Sequence, residues 1–262
     1  MEGSRVGTGE DKMMKLYVFE SAKMHVPDRG MMSGRPSGKP VTIPVPFYLI
    51  VHPKGLTLFD TGMKLDNWPP QYKKDGEQRP EQMIDKQLSK LGYEPDDVKY
   101  VIMSHLHLDH AGGMPLFPKA TFIVRKSELR AAWWPERFQG HYIFDDYKDT
   151  RNFNFIELDD VEAFDVFLDG SVVCIDTKGH SQGHQSVVVN LPESGRFVLT
   201  ADAAAMSEIL DEGILPAVLW NAEAAMRSLV KIQHMKREGA VILMAHDPDQ
   251  WESVKLAPDY YK

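Results

Sequence analysis

The chain has 262 residues, of which 43% are hydrophobic, and its formal net charge is -8. This length supports a substantial buried core, and the acidic balance argues against nucleic acid as a partner. No apolar run reaches the roughly 18 residues of a membrane span, and the N-terminus lacks the apolar segment of a secretory signal. We therefore expect a cytoplasmic protein that binds no membrane. Residues 1–12, rich in glycine and charge, are predicted to be a disordered tail before one domain at 13–262.

Short runs rich in Val, Ile, Phe and Thr predict strands throughout the chain. They cover residues 16–20, 47–52, 56–59, 100–104, 121–124, 172–177, 185–190, 197–200 and 241–245. Helical patterns fall between them at 80–91, 126–133 and 221–237, the last with Asn221 as its N-cap. Residues 24–46 are predicted to form a long loop, and residues 140–160 a surface excursion. The mixture of strands and helices indicates an α+β fold with two packed sheets and helices outside.

The segment after the fourth predicted strand concentrates side chains that bind metal. Four such residues lie within six positions: His105, His107, Asp109 and His110. Burying four unpaired polar groups together is costly, and imidazole is the commonest metal ligand in proteins. Gly112 and Gly113 follow and are expected to let the backbone turn tightly. The 105–110 motif therefore predicts a metal site.

Metal-capable residues also follow three later strands. His180, Asp202 and His246 each come shortly after an apolar run. Core packing does not explain why such residues should recur at strand ends. We therefore expect these three residues and the 105–110 motif to share one rim of the fold.

This arrangement resembles the metallo-β-lactamase superfamily, whose HxHxDH motif matches residues 105–110. Longer segments are similar to the N-acyl-homoserine lactonase family, namely 58–63, 92–97, 104–113, 179–186 and 246–247. The resemblance extends from about residue 15 to about residue 260. It implies an αβ/βα sandwich, with two mixed sheets and a two-metal centre between them.

The resemblance also implies a role for each metal-capable residue. It assigns a first metal ion to His105, His107 and His180. It assigns a second to Asp109, His110 and His246, with Asp202 bridging both ions. Zinc is the usual assignment, and iron, cobalt or manganese also suit nitrogen and oxygen ligands. His184 and Asp60 are expected to orient the ligands rather than to bind an ion.

The implied reaction is hydrolysis of the lactone ring of N-acyl homoserine lactones, which is quorum quenching. A hydroxide held between the ions would attack the carbonyl, and Asp109 would give a proton to the departing alkoxide. The alternatives are a lactonase for another γ-lactone or an aromatic lactone, a thioester hydrolase, a β-lactamase, a small phosphodiesterase and a non-catalytic metal-binding module. The resemblance alone also suggests a homodimer.

One position departs from the family pattern. Family members usually carry a tyrosine three residues after the bridging aspartate, where Ala205 stands in this chain. Either another donor replaces that hydroxyl or the substrate differs, and the candidate donors are Tyr48, His141, Tyr142 and Trp220. The residues predicted to contact substrate are Met24, Met31, Met32, Phe47, His141 and Tyr142. Further apolar candidates for an acyl-chain groove are Trp68, Trp133, Trp134 and Phe138.

Overall fold

The structure is a computed structural model that describes residues 13–27, 32–33 and 40–262. The predicted tail at 1–12 lies outside these residues. The described strands are β1 (Lys15–Val26), β2 (Val41–His52), β3 (Gly55–Phe59), β4 (Gly76–Glu77), β5 (Val98–Ile102), β6 (Thr121–Arg125), β7 (Asn154–Leu158), β8 (Ala163–Asp165), β9 (Val172–Asp176), β10 (Gln185–Leu191), β11 (Gly195–Leu199) and β12 (Val241–Leu243). The described α-helices are α1 (Ile84–Lys90), α2 (Lys126–Trp133), α3 (Phe144–Tyr147), α4 (Ser207–Glu212), α5 (Ala222–Arg237) and α6 (Pro248–Trp251).

The strands form two mixed sheets that pack face to face. The larger sheet has the order β4-β1-β2-β3-β5-β6-β7, and the smaller has the order β12-β11-β10-β9-β8. One buried cluster takes side chains from both sheets. Val18, Phe59 and Ile123 of the larger sheet share it with Cys174 and Val187 of the smaller sheet. The two sheets therefore enclose a common core.

Helices cover the outer face of each sheet. Leu88 of α1 belongs to a buried cluster with Leu49 of β2, outside the larger sheet. Leu229 of α5 belongs to another with Val198 of β11, outside the smaller sheet. The order helix, sheet, sheet, helix confirms the predicted αβ/βα sandwich. Among the helices of the described ranges, none has the length and apolar character needed to cross a bilayer.

The prediction of a long loop at 24–46 is wrong at both of its ends. β1 continues to Val26, which pairs with Val41 at the start of β2. Pro44 and Pro46 lie in the half of β2 that pairs with β1 alone, because β3 pairs only with the second half. Proline lacks an N–H group to donate, so a strand tolerates it where a second neighbour is missing.

The prediction of a surface excursion at 140–160 is also corrected. This segment contains α3 and β7, and β7 extends the larger sheet by pairing in parallel with β6. Of the five residues in β7 only Leu158 is buried, so the strand lacks a clear alternating pattern. β8 and α4, which were not predicted, are only three and six residues long.

Candidate metal centre

The predicted ligands follow strands that end at the same edge of the sandwich. The 105–110 motif follows β5 in the larger sheet, while His180, Asp202 and His246 follow β9, β11 and β12 in the smaller sheet. β9 and β11 are each antiparallel to β10, and β12 is parallel to β11. The three strands therefore run in one direction and present their carboxyl ends together.

The seven predicted ligands form one buried cluster. Within each of three groups, the ligand atoms lie within 4.8 Å of one another. The groups are His105 with His107 and His180, His105 with His110 and Asp202, and Asp109 with His110 and His246. The shortest contact joins Nδ1 of His107 to Nε2 of His180 at 2.9 Å. The fold therefore brings together all the residues that were predicted to bind metal.

Asp202 lies between the two halves of the cluster. Its Oδ1 is 3.1 Å from Nε2 of His110 and 3.1 Å from Nε2 of His246. Its Oδ2 is 3.5 Å from Nε2 of His180. The two carboxylate oxygens thus face different groups of histidines, which is the arrangement that a bridging ligand requires.

A buried carboxylate fixes the orientation of two of the histidines. Asp60 accepts hydrogen bonds from the Ser104 hydroxyl at 2.7 Å and from Nδ1 of His110 at 2.8 Å. Because the Ser104 hydroxyl donates to Asp60, its oxygen accepts from Nδ1 of His105 at 2.9 Å. Nδ1 of each histidine therefore carries a proton, and Nε2 is left to face the cluster.

His246 and His184 are oriented in different ways. Nδ1 of His246 donates to the carbonyl oxygen of Pro44 at 2.8 Å, so its Nε2 also faces the cluster. Nε2 of His184 accepts from the backbone N–H of Asp202 at 3.1 Å, and its Nδ1 donates to the hydroxyl of Thr177 at 2.9 Å. His184 thus connects the segment that carries Asp202 to Thr177 at the end of β9.

The cluster fits divalent metal ions. Nε2 of His105 and Nε2 of His110 are buried without a hydrogen-bond partner among the described residues. Buried polar atoms are nearly always paired, so two unpaired nitrogens that face one cluster indicate that a ligand belongs there. Five imidazoles and two carboxylates form a nitrogen and oxygen donor set that suits zinc and similar ions.

Electrostatics of the protein groups also favour a cation at the acidic side of the cluster. Burial alone lowers the pKa of His246, but the carboxylates of Asp202 and Asp109 outweigh burial and raise that pKa to about 10. At His110 the neighbouring carboxylates, chiefly Asp109, likewise outweigh burial and raise the pKa. Burial and the neighbouring His110 instead lower the pKa of His105, which keeps its imidazole neutral. A buried site that attracts protons this strongly also attracts metal cations.

Gly112 is required for space rather than for a tight turn. A Cβ at this position would lie 2.2 Å from the backbone nitrogen of Lys64 and 2.6 Å from the carbonyl carbon of Met63. Gly113 has a φ of -93°, which any residue adopts. The chain does turn at both glycines, but neither has a positive φ. Glycine is needed at 112 because the motif packs directly against the 63–64 backbone.

We expect Gly112→Ala to lower the free energy of unfolding by about 1–3 kcal/mol, because backbone atoms cannot move aside for the added methyl group. Urea titration at equal metal content measures the change. Gly140→Ala is the matched control, since a Cβ at Gly140 meets no atom of the described residues within 4 Å. It should change stability by less than about 0.5 kcal/mol. Equal stability of the two variants would contradict the predicted overlap.

A cavity of about 500 Å³ opens onto the cluster. His107, Asp109, His180 and Asp202 of the cluster line it, together with the polar side chains of His25, Tyr72, Asp75 and His141. Its apolar walls include Met24, Val26, Pro27, Trp68, Leu108 and Phe138. This volume is typical of sites for small organic ligands, and a few polar groups in an apolar pocket fix the orientation of such a ligand.

The structure places only some of the residues that were predicted to contact substrate on the cavity wall. Met24 and His141 line the cavity. Phe47 lies on the outer side of the larger sheet, where its ring stacks on Phe19 with the centroids 4.5 Å apart. The prediction for Phe47 is corrected because successive side chains of β2 alternate, and Tyr48 is the one that faces the inner core.

Two further predicted residues support other parts of the fold. Met32 is buried in the cluster outside the smaller sheet and pairs with Pro216, so its prediction is also corrected. Tyr142 donates to Glu128 at 3.0 Å, and its ring packs edge-on against His107 with the centroids 4.6 Å apart. It therefore stands beside the ligands rather than on the cavity wall. Met31 lies outside the described residues.

Ala205 offers no side-chain hydrogen-bond donor at this position. Ala205 is buried, and its carbonyl accepts from the backbone N–H of His246 at 3.0 Å. Of the four candidate donors, only His141 is among the described residues that line the cavity. Its ring centroid is 5.4 Å from that of His107. His141 is therefore the candidate that stands closest to an incoming substrate.

Ser104 and Glu128 take part in the site and were not predicted from the sequence. Glu128 lies on α2, and the buried face of this helix also holds Ala131 and Ala132. A carboxylate on the apolar face of a helix needs buried partners, and this pattern could have identified Glu128. The sequence around Ser104 carries no comparable signal, because a serine at a strand end is common in any core.

Known proteins are similar to this chain in fold and in sequence. The chain matches the family model of the metallo-beta-lactamase superfamily over residues 42–246. The N-acyl homoserine lactonase AttM of Azorhizobium caulinodans is 35% identical over 95% of this chain and 98% of its own length. The N-acyl homoserine lactonase AiiA of Bacillus thuringiensis subsp. kurstaki is 31% identical over 94% of this chain and 98% of its own length.

A solved structure of an N-acyl homoserine lactone hydrolase, with the product N-hexanoyl-L-homoserine at its catalytic metal centre, is also similar. It is 28% identical, has a TM-score of 0.84, and the match covers 95% of this chain and 100% of that chain. The similarity in sequence thus spans nearly the whole chain, and the range that matches the family model contains the positions of all seven predicted ligands. The chain belongs to the metallo-beta-lactamase superfamily and, within it, to the family of the N-acyl homoserine lactonases.

Proposed function

We propose that this protein hydrolyses the lactone ring of N-acyl homoserine lactones with the help of two divalent ions. The observation that carries the proposal is that the ligand cluster lines a largely apolar cavity of about 500 Å³. The cluster suits a lactone carbonyl, and the apolar walls suit an acyl chain. Relatives named as N-acyl homoserine lactonases support the same substrate class.

The residues proposed for each ion follow the geometry of the cluster. One ion would be held by His105, His107 and His180, and the other by Asp109, His110 and His246. Asp202 would bridge them, since its two oxygens face both groups. Zinc is proposed, with iron, cobalt and manganese also compatible with these donors. Bound ions would supply an ionised water near neutral pH and would polarise the lactone carbonyl.

Asp109 is the proposed proton carrier. Its carboxylate lines the cavity, and Oδ2 lies 3.3 Å from Nε2 of His246 and 3.5 Å from Nε2 of His110. Burial alone raises the pKa of Asp109, but His110 and His246 outweigh burial and lower it, so the group is ionised and can accept a proton. The attacking water gives a proton to Asp109 and adds its oxygen to the carbonyl carbon, the ring C–O bond breaks, and Asp109 passes that proton to the ring oxygen. The product is the N-acyl homoserine.

Other chain residues are proposed to orient the substrate. Met24, Trp68 and Phe138 would contact the acyl chain along the cavity wall, and His141 would donate to an oxygen of the lactone or amide. The predicted cytoplasmic location and the homodimer stay predictions from composition and resemblance.

The test is a panel of substrates followed with a pH indicator. Purified, zinc-loaded protein is assayed with acyl homoserine lactones of increasing chain length, γ-butyrolactone, an aromatic lactone, a thioester, nitrocefin and a phosphodiester. We expect the acyl homoserine lactones to give the highest kcat/KM. Each acyl methylene buried in the cavity is worth about 0.8 kcal/mol, or about fourfold in kcat/KM.

Two results would contradict the proposal. One is a kcat/KM for γ-butyrolactone that equals the value for the acyl homoserine lactones, because the amide and acyl chain would then make no use of the cavity. The other is faster turnover of the thioester, nitrocefin or the phosphodiester.

A further inference from the structure

Glu128 is a fully buried carboxylate that accepts four hydrogen bonds. Oε1 accepts from the backbone N–H of Leu106 at 2.9 Å and from the Tyr142 hydroxyl at 3.0 Å. Oε2 accepts from the Ser181 hydroxyl at 2.6 Å and from the backbone N–H of Gly183 at 3.0 Å. An ionised carboxylate offers about four acceptor positions, so all of its capacity is used.

Three of the four donors to Glu128 lie in the two loops that carry one half of the ligand cluster. Leu106 stands between His105 and His107, in the loop after β5 of the larger sheet. Ser181 directly follows His180, in the loop after β9 of the smaller sheet. Glu128 therefore links a loop from one sheet to a loop from the other, at the place where their histidines meet.

The loop after β9 also rests directly on the first turn of α2. A Cβ at Gly183 would lie 2.3 Å from the backbone nitrogen of Glu128, so only glycine allows this approach. The Ser127 hydroxyl donates to the carbonyl of Gln182 at 3.2 Å. The position of this loop is thus set by α2, which lies outside the ligand cluster itself.

We propose that Glu128 is a positioning residue that sets the spacing of His105, His107 and His180, and thereby the affinity of that half of the centre for a divalent ion. This inference rests on the proposed metal centre but is independent of which substrate is hydrolysed. A glutamine cannot take over the role. Whichever way its amide is oriented, the NH₂ group faces the backbone N–H of Leu106 or of Gly183, which then loses its acceptor.

The test compares the zinc affinity of wild type and Glu128→Gln. Chelator-treated protein is titrated with Zn²⁺ in competition with a chromophoric chelator, and the Co²⁺ absorption spectrum reports ligand geometry. We expect the Kd of one of the two zinc ions to rise about ten- to hundredfold, as is typical when a group supporting metal ligands is lost. The Kd of the other ion should change less, and the Co²⁺ bands of the affected site should shift or weaken.

Val189→Ala is the matched control for a simple loss of stability. Val189 is fully buried in the shared core, near the end of β10 far from the cluster. We expect this variant to lose stability in urea but to bind both zinc ions as wild type does. Wild-type zinc affinity in Glu128→Gln, or an equal loss of affinity in Val189→Ala, would overturn the proposal.

If Glu128→Gln does not fold, the double variant Ser181→Ala and Tyr142→Phe removes two of the four donors and keeps the carboxylate. We expect a rise in the same Kd, and wild-type affinity would again overturn the proposal. Zinc affinity is measured without a lactone. A protein that binds zinc through Glu128-dependent spacing but opens no lactone would contradict the proposed reaction alone.

Discussion

Chelation of divalent ions is expected to abolish lactone hydrolysis and to lower the resistance of the protein to urea, and Zn²⁺ or Co²⁺ is expected to restore both. Activity depends on the ions because they supply the ionised water. Stability depends on them because an ion that binds only the folded chain stabilises it by mass action, by about 4 kcal/mol at a free concentration 1,000 times the Kd. Hydrolysis that is indifferent to chelation would contradict the proposed centre.

The stabilisation by zinc is expected to grow as the pH rises from about 6.5 to about 9. The pKa of His246 is raised from 6.5 to about 10 by the surrounding carboxylates. A group whose pKa rises on folding contributes stability that is complete below its unfolded pKa and is lost as the pH approaches the folded pKa. The chelated protein therefore loses stability across this range. In the zinc-loaded protein a bound ion takes the place of the proton on His246, so this protein does not lose stability over the same pH range.

Urea midpoints of the chelated and zinc-loaded protein across this range measure the effect. Groups that titrate equally in both states cancel in the difference. The depressed pKa of Asp109 and of Asp202 affects stability only at acid pH, below the range used. In His246→Asn the chelated protein should show a weaker pH dependence than wild type. A difference between the two midpoints that narrows as pH rises would contradict the prediction.

The cluster of candidate metal ligands could be predicted because its signal is local. His105 and His107 lie two residues apart directly after an apolar strand, and a strand delivers such residues to its own end. His180, Asp202 and His246 follow the same rule in three other strands. Periodicity and residue type within about ten positions predicted packed sheets with helices outside and placed the seven residues on one rim. The αβ/βα sandwich and the assignment of these residues to two ions were predicted from the family resemblance.

The side chains that face the interior of the fold could not be predicted in the same way. Phe47 and Tyr48 are neighbours in an apolar run, and only the pairing of β2 decides which of them faces inward. Pro44 and Pro46 are compatible with a strand only where one neighbour is missing, which the sequence does not reveal. Glu128 gains its role from contacts with residues 22 and 55 positions away, at Leu106 and Gly183. Such roles depend on tertiary packing rather than on local pattern.

Asp109→Asn is expected to reduce kcat for N-acyl homoserine lactones by about 10²–10⁴, the usual contribution of a positioned proton donor or acceptor. Asparagine keeps an oxygen that can face an ion, so the variant should still bind two zinc ions when zinc is in excess. The measurement is kcat at saturating substrate and excess Zn²⁺, with the bound metal counted in the same sample. Asp202→Asn is the comparison variant, and we expect it to lose metal because both of its oxygens face histidines.

Substrates with different leaving groups distinguish proton transfer by Asp109 from its proposed role as a metal ligand. An alkoxide is a poor leaving group without a proton, whereas a thiolate, with a pKa of about 8.5, leaves without one. The loss in Asp109→Asn should therefore be large for an N-acyl homoserine lactone but no more than about tenfold for the matching N-acyl homocysteine thiolactone. Equal losses on the two substrates would mean that Asp109 acts only through the ions. A loss of activity with the lactone but not with the thiolactone would mean that the carboxylate of Asp109 delivers the proton to the ring oxygen.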